Sequence, residues 1–126
     1  MDTSKEYIKM CEKAVEIQHE ELLKGDYVVI NEKTELIADT MHYSPAELDT
    51  AIWLPRQDQL QEMVMDKFKG SSLYSMIDEF DWFCSESGLV FTDYAEQFTS
   101  MEQLWLAFVM KEKYNKTWNG EDWIQE

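Results

Sequence analysis

A chain of 126 residues with 26 acidic against 11 basic side chains carries a formal net charge of −15, which argues against direct binding to nucleic acid or to an anionic membrane, because both depend on basic surface. Hydrophobic residues at 44% and aromatics at 13% exclude a disordered chain. At this length a single domain is expected, burying roughly two-thirds of the surface that its unfolded form exposes, enough for a core without disulfides or metal.

Thr3 and Glu6 have capping-box spacing and predict a first helix from near Thr3. Tyr7, Ile8, Cys11, Ala14, Val15 and Leu22 fall on one apolar stripe, while Glu12, Glu16 and Glu20 lie elsewhere, interleaved with Lys9 and Lys13. Gly25, after Lys24, reads as the C-terminal stop of that helix. Asp26 to Ile30 is rich in β-formers and predicts a strand. Asn31-Glu32-Lys33 supplies a turn, and Glu35 to Ala38 returns as a second strand, with a short helix over Thr34 to Met41 as the alternative. Ser44-Pro45-Ala46-Glu47 is a helix-start signature. Ala51 to Leu54 ends at Pro55, and a residue before proline avoids the α region, so a third strand is expected there.

From Pro55 to the end the pattern is helical. Pro55 suits a first helical position, where its missing N–H costs nothing. Leu60, Met63, Val64 and Phe68 share one face, and Gly70 ends that helix. Ser72 or Ser75 caps the next, whose Leu73, Met76, Ile77, Phe80, Phe83 and Cys84 are expected to point inward before Gly88 stops it. Leu89-Val90-Phe91 is a short apolar connection. Thr99 and Glu102 repeat the capping-box spacing ahead of the strongest apolar run, Leu104, Trp105, Phe108 and Val109. Lys111, Lys113 and Lys116 gather at the C-terminal end of that helix, where cations favour its dipole. Asn119-Gly120, between Trp118 and Trp123, signals a tight turn. The expected fold class is α+β: one acidic domain over residues 1–126, with a small antiparallel sheet from the N-terminal half packed by about four main helices and a helix-rich C-terminal half.

Glu16-x-x-His19 has the spacing of half a carboxylate-bridged di-metal site. A whole site needs a second copy, which the sequence lacks, and His42 lies in an irregular segment, so an exposed helix histidine is the favoured reading. Cys11 and Cys84 sit on apolar helix sides without a neighbouring histidine or a Cys-x-x-Cys context, which predicts buried free thiols. No catalytic residue, metal ligand or cofactor site is assigned.

Two segments stand out as candidates. At helical spacing Trp82 falls with Ser75, Asp78, Glu79 and Glu86, and a tryptophan on an acidic face is a candidate interface anchor. The competing reading, favoured by the burial habit of tryptophan, packs Trp82 beneath a loop or the C-terminal tail. The second segment is the strand-to-helix junction Trp53, Pro55, Arg56, Gln57, Asp58 and Gln61. Arg56 is the only arginine. A cation in a first helical turn opposes the dipole and needs compensation, such as a carboxylate clamped elsewhere, but a solvated side chain at a polar helix start is the slightly favoured reading. The amides of Gln57, Gln59 and Gln61 are placed to satisfy backbone groups at the helix start.

Three stretches carry a resemblance: Tyr7-Ile8-Lys9-Met10-Cys11-Glu12-Lys13-Ala14, then Ile52-Trp53-Leu54-Pro55-Arg56-Gln57-Asp58-Gln59-Leu60-Gln61, then Glu102 to Met110 continuing to Trp118-Asn119-Gly120-Glu121. Through them the chain resembles small, uncharacterised proteins encoded in phages and prophages of Gram-positive bacteria; residues 31–51 and 70–98 lie outside the resemblance. It implies a phage context and carries over no site residue. The N-terminus runs directly into a charged helical pattern, with no signal peptide ahead of it and no apolar run of the ~20 residues a membrane span needs, which predicts a cytoplasmic location in a bacterial host. The expected function is that of a non-enzymatic protein–protein interaction module with an unknown protein partner and no cofactor; self-association stays open. An acidic nucleic-acid mimic that blocks a DNA-binding protein is the first alternative. A small enzyme using carboxylates and amides near Arg56 is the second.

Overall fold

A serine, not a threonine, opens the first helix. Ser4 Oγ accepts a hydrogen bond from the Tyr7 N–H at 3.2 Å, and the Ser4 N–H is satisfied by Asp2 Oδ1 at 2.8 Å, so α1 runs over Lys5–Lys13. The computed structural model describes residues 1–18, 21–37, 43–68, 72–89 and 94–126, and of residues 86–89 only the backbone. Among them, five α-helices and two antiparallel sheets make an α+β fold. Chain contacts group these residues into two units: Met1–Arg56 with Trp118–Ile124, and Gln57–Thr117 with Gln125–Glu126.

In the first unit α1 stops at Lys13 rather than reaching Gly25. Ala14 leaves the helical basin at ψ 67°, its N–H held by the carbonyls of Met10 and Cys11. One 3₁₀ turn, Val15–Ile17, follows. Gly25 serves a different turn: at φ +96° it leads into β1, Tyr27–Ile30, with its N–H donating to the Ile37 carbonyl. A two-residue loop, Asn31 and Glu32, joins β1 to β2, Lys33–Leu36. Both loop residues have positive φ, 52° and 67°, the sense that matches the right-handed twist of a hairpin. The strand alternative for this stretch therefore holds, two residues earlier than expected; residues 38–42 lie outside the described set.

Pairing runs Tyr27↔Leu36 to Ile30↔Lys33 on one side of β1 and Tyr27↔Leu54 to Val29↔Ile52 on the other. The sheet order is β2-β1-β3, with β3 at Ile52–Leu54. The central strand is the apolar one, burying Val28, Val29 and Ile30, while the edge strand β2 carries Lys33 and Glu35. Between β2 and β3 in the chain, α2 spans Pro45–Thr50, opened by the capping box of Ser44 and Glu47. α1 buries Tyr7, Met10 and Cys11, and the Tyr7 hydroxyl donates to the Pro55 carbonyl at 2.7 Å.

The last residues are not helical, as the sequence pattern after Pro55 suggested, but form a hairpin: β4, Lys116–Trp118, and β5, Trp123–Gln125. Asn119 Oδ1 accepts the N–H groups of Glu121 and Asp122 at 2.9 and 2.8 Å, and Gly120 takes φ +100°. This turn sets Trp118 beside Trp123, ring centroids 5.0 Å apart. Their indole N–H groups donate to Glu6 Oε1 and to the Met10 carbonyl, which tie the hairpin to α1.

The second unit is built on α3 (Gln57–Met65), α4 (Leu73–Leu89) and α5 (Met101–Tyr114). As at α1, the cap of α5 lies one residue beyond the threonine: Ser100 Oγ accepts the Gln103 N–H, and the buried Gln103 side chain bonds back to both the N–H and the hydroxyl of Thr99. Asn115 ends α5 in the left-handed region at φ 55°. α5 is buried from Trp105 through Met110. Phe80 of α4 stacks on Trp105 at 3.8 Å, and both meet Phe108 edge-on, so aromatic rings fill the space between these helices.

Candidate functional site

The buried stripe of α4 is Met76 and Phe83, with Phe80 half-buried between them in the ring stack. Leu73 and Ile77, expected inward, are exposed at 66% and 48%. They stand one helical row away from that stripe, which is narrower than the sequence suggests. Cys84, in the same row, is half-buried.

Trp82 lies on the far side of the helix and is 63% exposed, so no described loop or tail covers it and the packed reading is set aside. Tyr74, at 75%, starts a row that continues through Asp78, Asp81 and Ser85 at spacings of four, three and four, which is one ridge of an α-helix. The outer surface of α4 is therefore an acidic ridge with apolar shoulders: Leu73 and Ile77 on one side, Trp82 on the other. Asp78, Glu79, Asp81, Trp82 and Ser85 line a shallow depression. Its described walls all come from one helix, so it is a surface feature and not an enclosed substrate cavity. The side chain of Glu86, the remaining member of the sequence cluster, lies outside the described residues.

The charge of this face follows from the sequence around it. Between Lys69 and Lys111 the chain has seven carboxylates and no lysine or arginine. Among the described residues no cation pairs with Asp78, Glu79 or Asp81; the ion pairs use Lys9, Lys13, Arg56, Lys67 and Lys111. Sequence reading found Trp82 and its acidic neighbours but missed Leu73, Tyr74 and Ile77, because an apolar residue at helical spacing gives the same signal whether or not a neighbour arrives to cover it.

The junction at Trp53 to Gln61 has a different character. Arg56 precedes α3 instead of lying in its first turn, and Pro55 is two residues ahead of it. The guanidinium turns back into the first unit: Nη1 donates to the Gly25 carbonyl at 2.7 Å and lies 3.9 Å from Oδ1 of the buried Asp26. The other oxygen of Asp26 accepts the Leu23 N–H at 2.8 Å. This is a latch on the turn before β1. Trp53 and Pro55 are buried, Gln57 and Gln61 half-buried and Asp58 exposed at the start of α3.

One contributor to the junction was not read from sequence. Gln18 accepts the Trp53 N–H at 2.8 Å and donates to the carbonyls of Trp53 and Cys11, both at 3.0 Å. A single amide thus bridges the end of α1 to strand β3, 35 residues further on. Nothing local distinguishes such a glutamine from a solvated one.

Cys11 is fully buried, and burial pushes its thiol far above the usual range. Burial, with a smaller contribution from the Asp81 charge, also raises the Cys84 thiol. Both shifts disfavour the thiolate that a nucleophilic or redox role needs. His19 and His42 lie outside the described residues; among those described, no group of three metal-ligating side chains converges. No described helix is long and apolar enough to cross a membrane. Comparison of the chain with protein-family models, with curated proteins and with solved structures finds no match.

Proposed function

We propose that the chain is a non-enzymatic protein–protein interaction module of phage or prophage origin, and that it engages its partner through the outer face of α4. One observation carries this reading: four large side chains, Leu73, Tyr74, Ile77 and Trp82, stand exposed within about two and a half turns of one helix. Single exposed apolar residues need no explanation, but a cluster that includes tryptophan and tyrosine has the composition of an interface hot spot. The phage context rests on the resemblance carried by Tyr7 to Ala14, Ile52 to Gln61 and Glu102 to Met110. The latch around Arg56 supports a structural role for that junction rather than an enzymatic one, because its guanidinium is engaged by groups of its own unit.

A photocrosslinking residue at Ser85, in phage-infected bacterial cells, tests the reading. It should trap one protein, and Trp82→Ala should reduce the yield at least tenfold, as expected when an anchor worth about 2 kcal/mol or more is removed. Absence of a crosslinked protein, or a yield indifferent to Trp82→Ala, would refute it.

The nucleic-acid mimic is the second reading, favoured by the seven carboxylates between Lys69 and Lys111 with no base among them. It predicts that the trapped protein binds DNA and that duplex DNA competes for it. A trapped protein indifferent to DNA removes the mimic and leaves the interaction module.

A further inference from the structure

A second copy of this chain is a poor occupant for the α4 face. A two-fold pairing would bring the same patch against itself, setting Asp78, Glu79 and Asp81 opposite their own counterparts with no described cation to relieve them. A purely apolar partner segment is equally unsuited, because it would strip water from three carboxylates without replacing their hydrogen bonds. An occupant that satisfies the face must place cations along the ridge and apolar groups on its shoulders.

We infer that the α4 face binds a basic amphipathic segment of a partner protein, with lysine or arginine side chains meeting Asp78 and Asp81 and apolar side chains meeting Ile77 and Trp82. This deepens the interaction-module reading and rests on it. The geometry is that of one helix: Asp78 and Asp81 are three residues apart, about 5 Å along the axis, so successive-turn cations of a partner helix reach both. Trp82 lies one residue from Asp81 in sequence and beyond the ridge in space, where an arginine that reaches the carboxylates can also cover the exposed indole. No lysine or arginine lies within the base-free stretch, and no described cation from elsewhere pairs with Asp78 or Asp81, so an external cation meets no described competitor there.

Three synthetic peptides with one helical pattern provide the probes: alternating faces of leucine and lysine, of leucine and glutamate, and of alanine and lysine. The leucine–lysine peptide should bind the full chain, and binding should weaken at least tenfold in Trp82→Ala and again in Asp78→Asn with Asp81→Asn. The leucine–glutamate peptide should not bind, and the alanine–lysine peptide should bind at least tenfold more weakly, since it lacks the apolar contacts. Glu12→Gln with Asp49→Asn removes the same charge from exposed positions in the other unit and should leave affinity within twofold. All substituted residues are exposed, and a melt of each variant matching the parent shows that it folds. Loss of binding in the Glu12/Asp49 pair equal to that in the Asp78/Asp81 pair would reduce the effect to net charge and overturn the inference. So would binding of the leucine–glutamate peptide, or a Trp82-dependent dimer in sedimentation. The two readings separate in the crosslinking experiment at Ser85. A trapped partner whose contact peptide is acidic or neutral keeps the interaction module and discards the basic segment; a lysine- or arginine-rich contact peptide supports both.

Discussion

Trp105 and Trp82 belong to successive helices of the same unit and meet opposite fates. Trp105 is almost wholly buried, stacked on Phe80 and edge-on to Phe108, on a helix whose residues 105–110 are all inside. Trp82 is 63% exposed on a helix that shows four large apolar side chains to solvent. The difference teaches where each helix puts its apolar surface. α5 satisfies its own within the fold, and α4 satisfies only the Met76–Phe80–Phe83 stripe and keeps the rest available. An equivalent substitution in the two places should therefore read out stability in one and binding in the other.

The largest effect expected is from Trp105→Ala, about 3–5 kcal/mol in a urea melt, as for other buried aromatic truncations. A cost below about 1 kcal/mol would mean that α4 and α5 are not packed through these rings.

In the other unit, Gln18→Ala should cost about 2–3 kcal/mol, since it leaves the Trp53 N–H and carbonyl without their side-chain partner and takes one of two donors from the Cys11 carbonyl. Hydrogen exchange should show the Trp53 amide losing protection first. Arg56→Lys should cost about 1–2 kcal/mol, because Nη1, which meets both the Gly25 carbonyl and Asp26, stands one bond further from the backbone than a lysine Nζ can reach. A parental melt with binding abolished would turn this latch into a functional site.

Burial of Cys11 gives a pH dependence with a defined sign. The folded state holds the thiol protonated to far higher pH than the unfolded chain, whose thiol titrates near about 8.5. Below that value both states keep the proton and stability is untouched. Above it the unfolded state releases its proton while the native state does not, so stability falls by up to about 1.4 kcal/mol per pH unit. The loss stops only where the folded thiol itself ionises. Lysines and tyrosines also titrate there, so the measurement is the difference in slope between the parent and Cys11→Ala from about pH 8 to 10. Identical slopes would place Cys11 in contact with solvent.

The smallest effect should come from Trp82→Ala, within about 0.5 kcal/mol of the parent, as for surface substitutions away from packed groups. A cost near that of Trp105→Ala would erase the contrast between the two helices and with it the docking face.

The two helix starts show how closely the sequence can be read and where it slips. Thr3-Ser4 and Thr99-Ser100 both precede a glutamate at capping-box spacing from the threonine, yet both structures of the start use the serine. The choice is made by the third helical residue. Tyr7 reaches inward to Pro55, and Gln103 folds back on Thr99, and each requires the frame set by serine. The early end of α1 has a similar cause. Its apolar pattern continues past Lys13, but the chain must turn for Gln18 to reach β3. At Asn119-Gly120 the reverse holds: the turn was plain from its residue types, while the strands on either side were masked by a helical pattern.

By itself the sequence determined the α+β class, the order of the three strands in the chain, the boundaries marked by Ser44, Asn119 and Gly120, the net charge, and the unusual company of Trp82. These are properties of neighbours along the chain: β-branched runs, capping side chains, positive-φ residues and helical spacing act within a few residues. Tertiary structure alone decided that Gln18 joins α1 to β3, that Arg56 latches the turn at Gly25, and that Leu73, Tyr74 and Ile77 stay in water while Trp105 does not. Each of those outcomes depends on which group arrives from elsewhere to take a hydrogen bond or to cover a surface, and the free energy of burial belongs to the pair in contact, not to the residue that is buried.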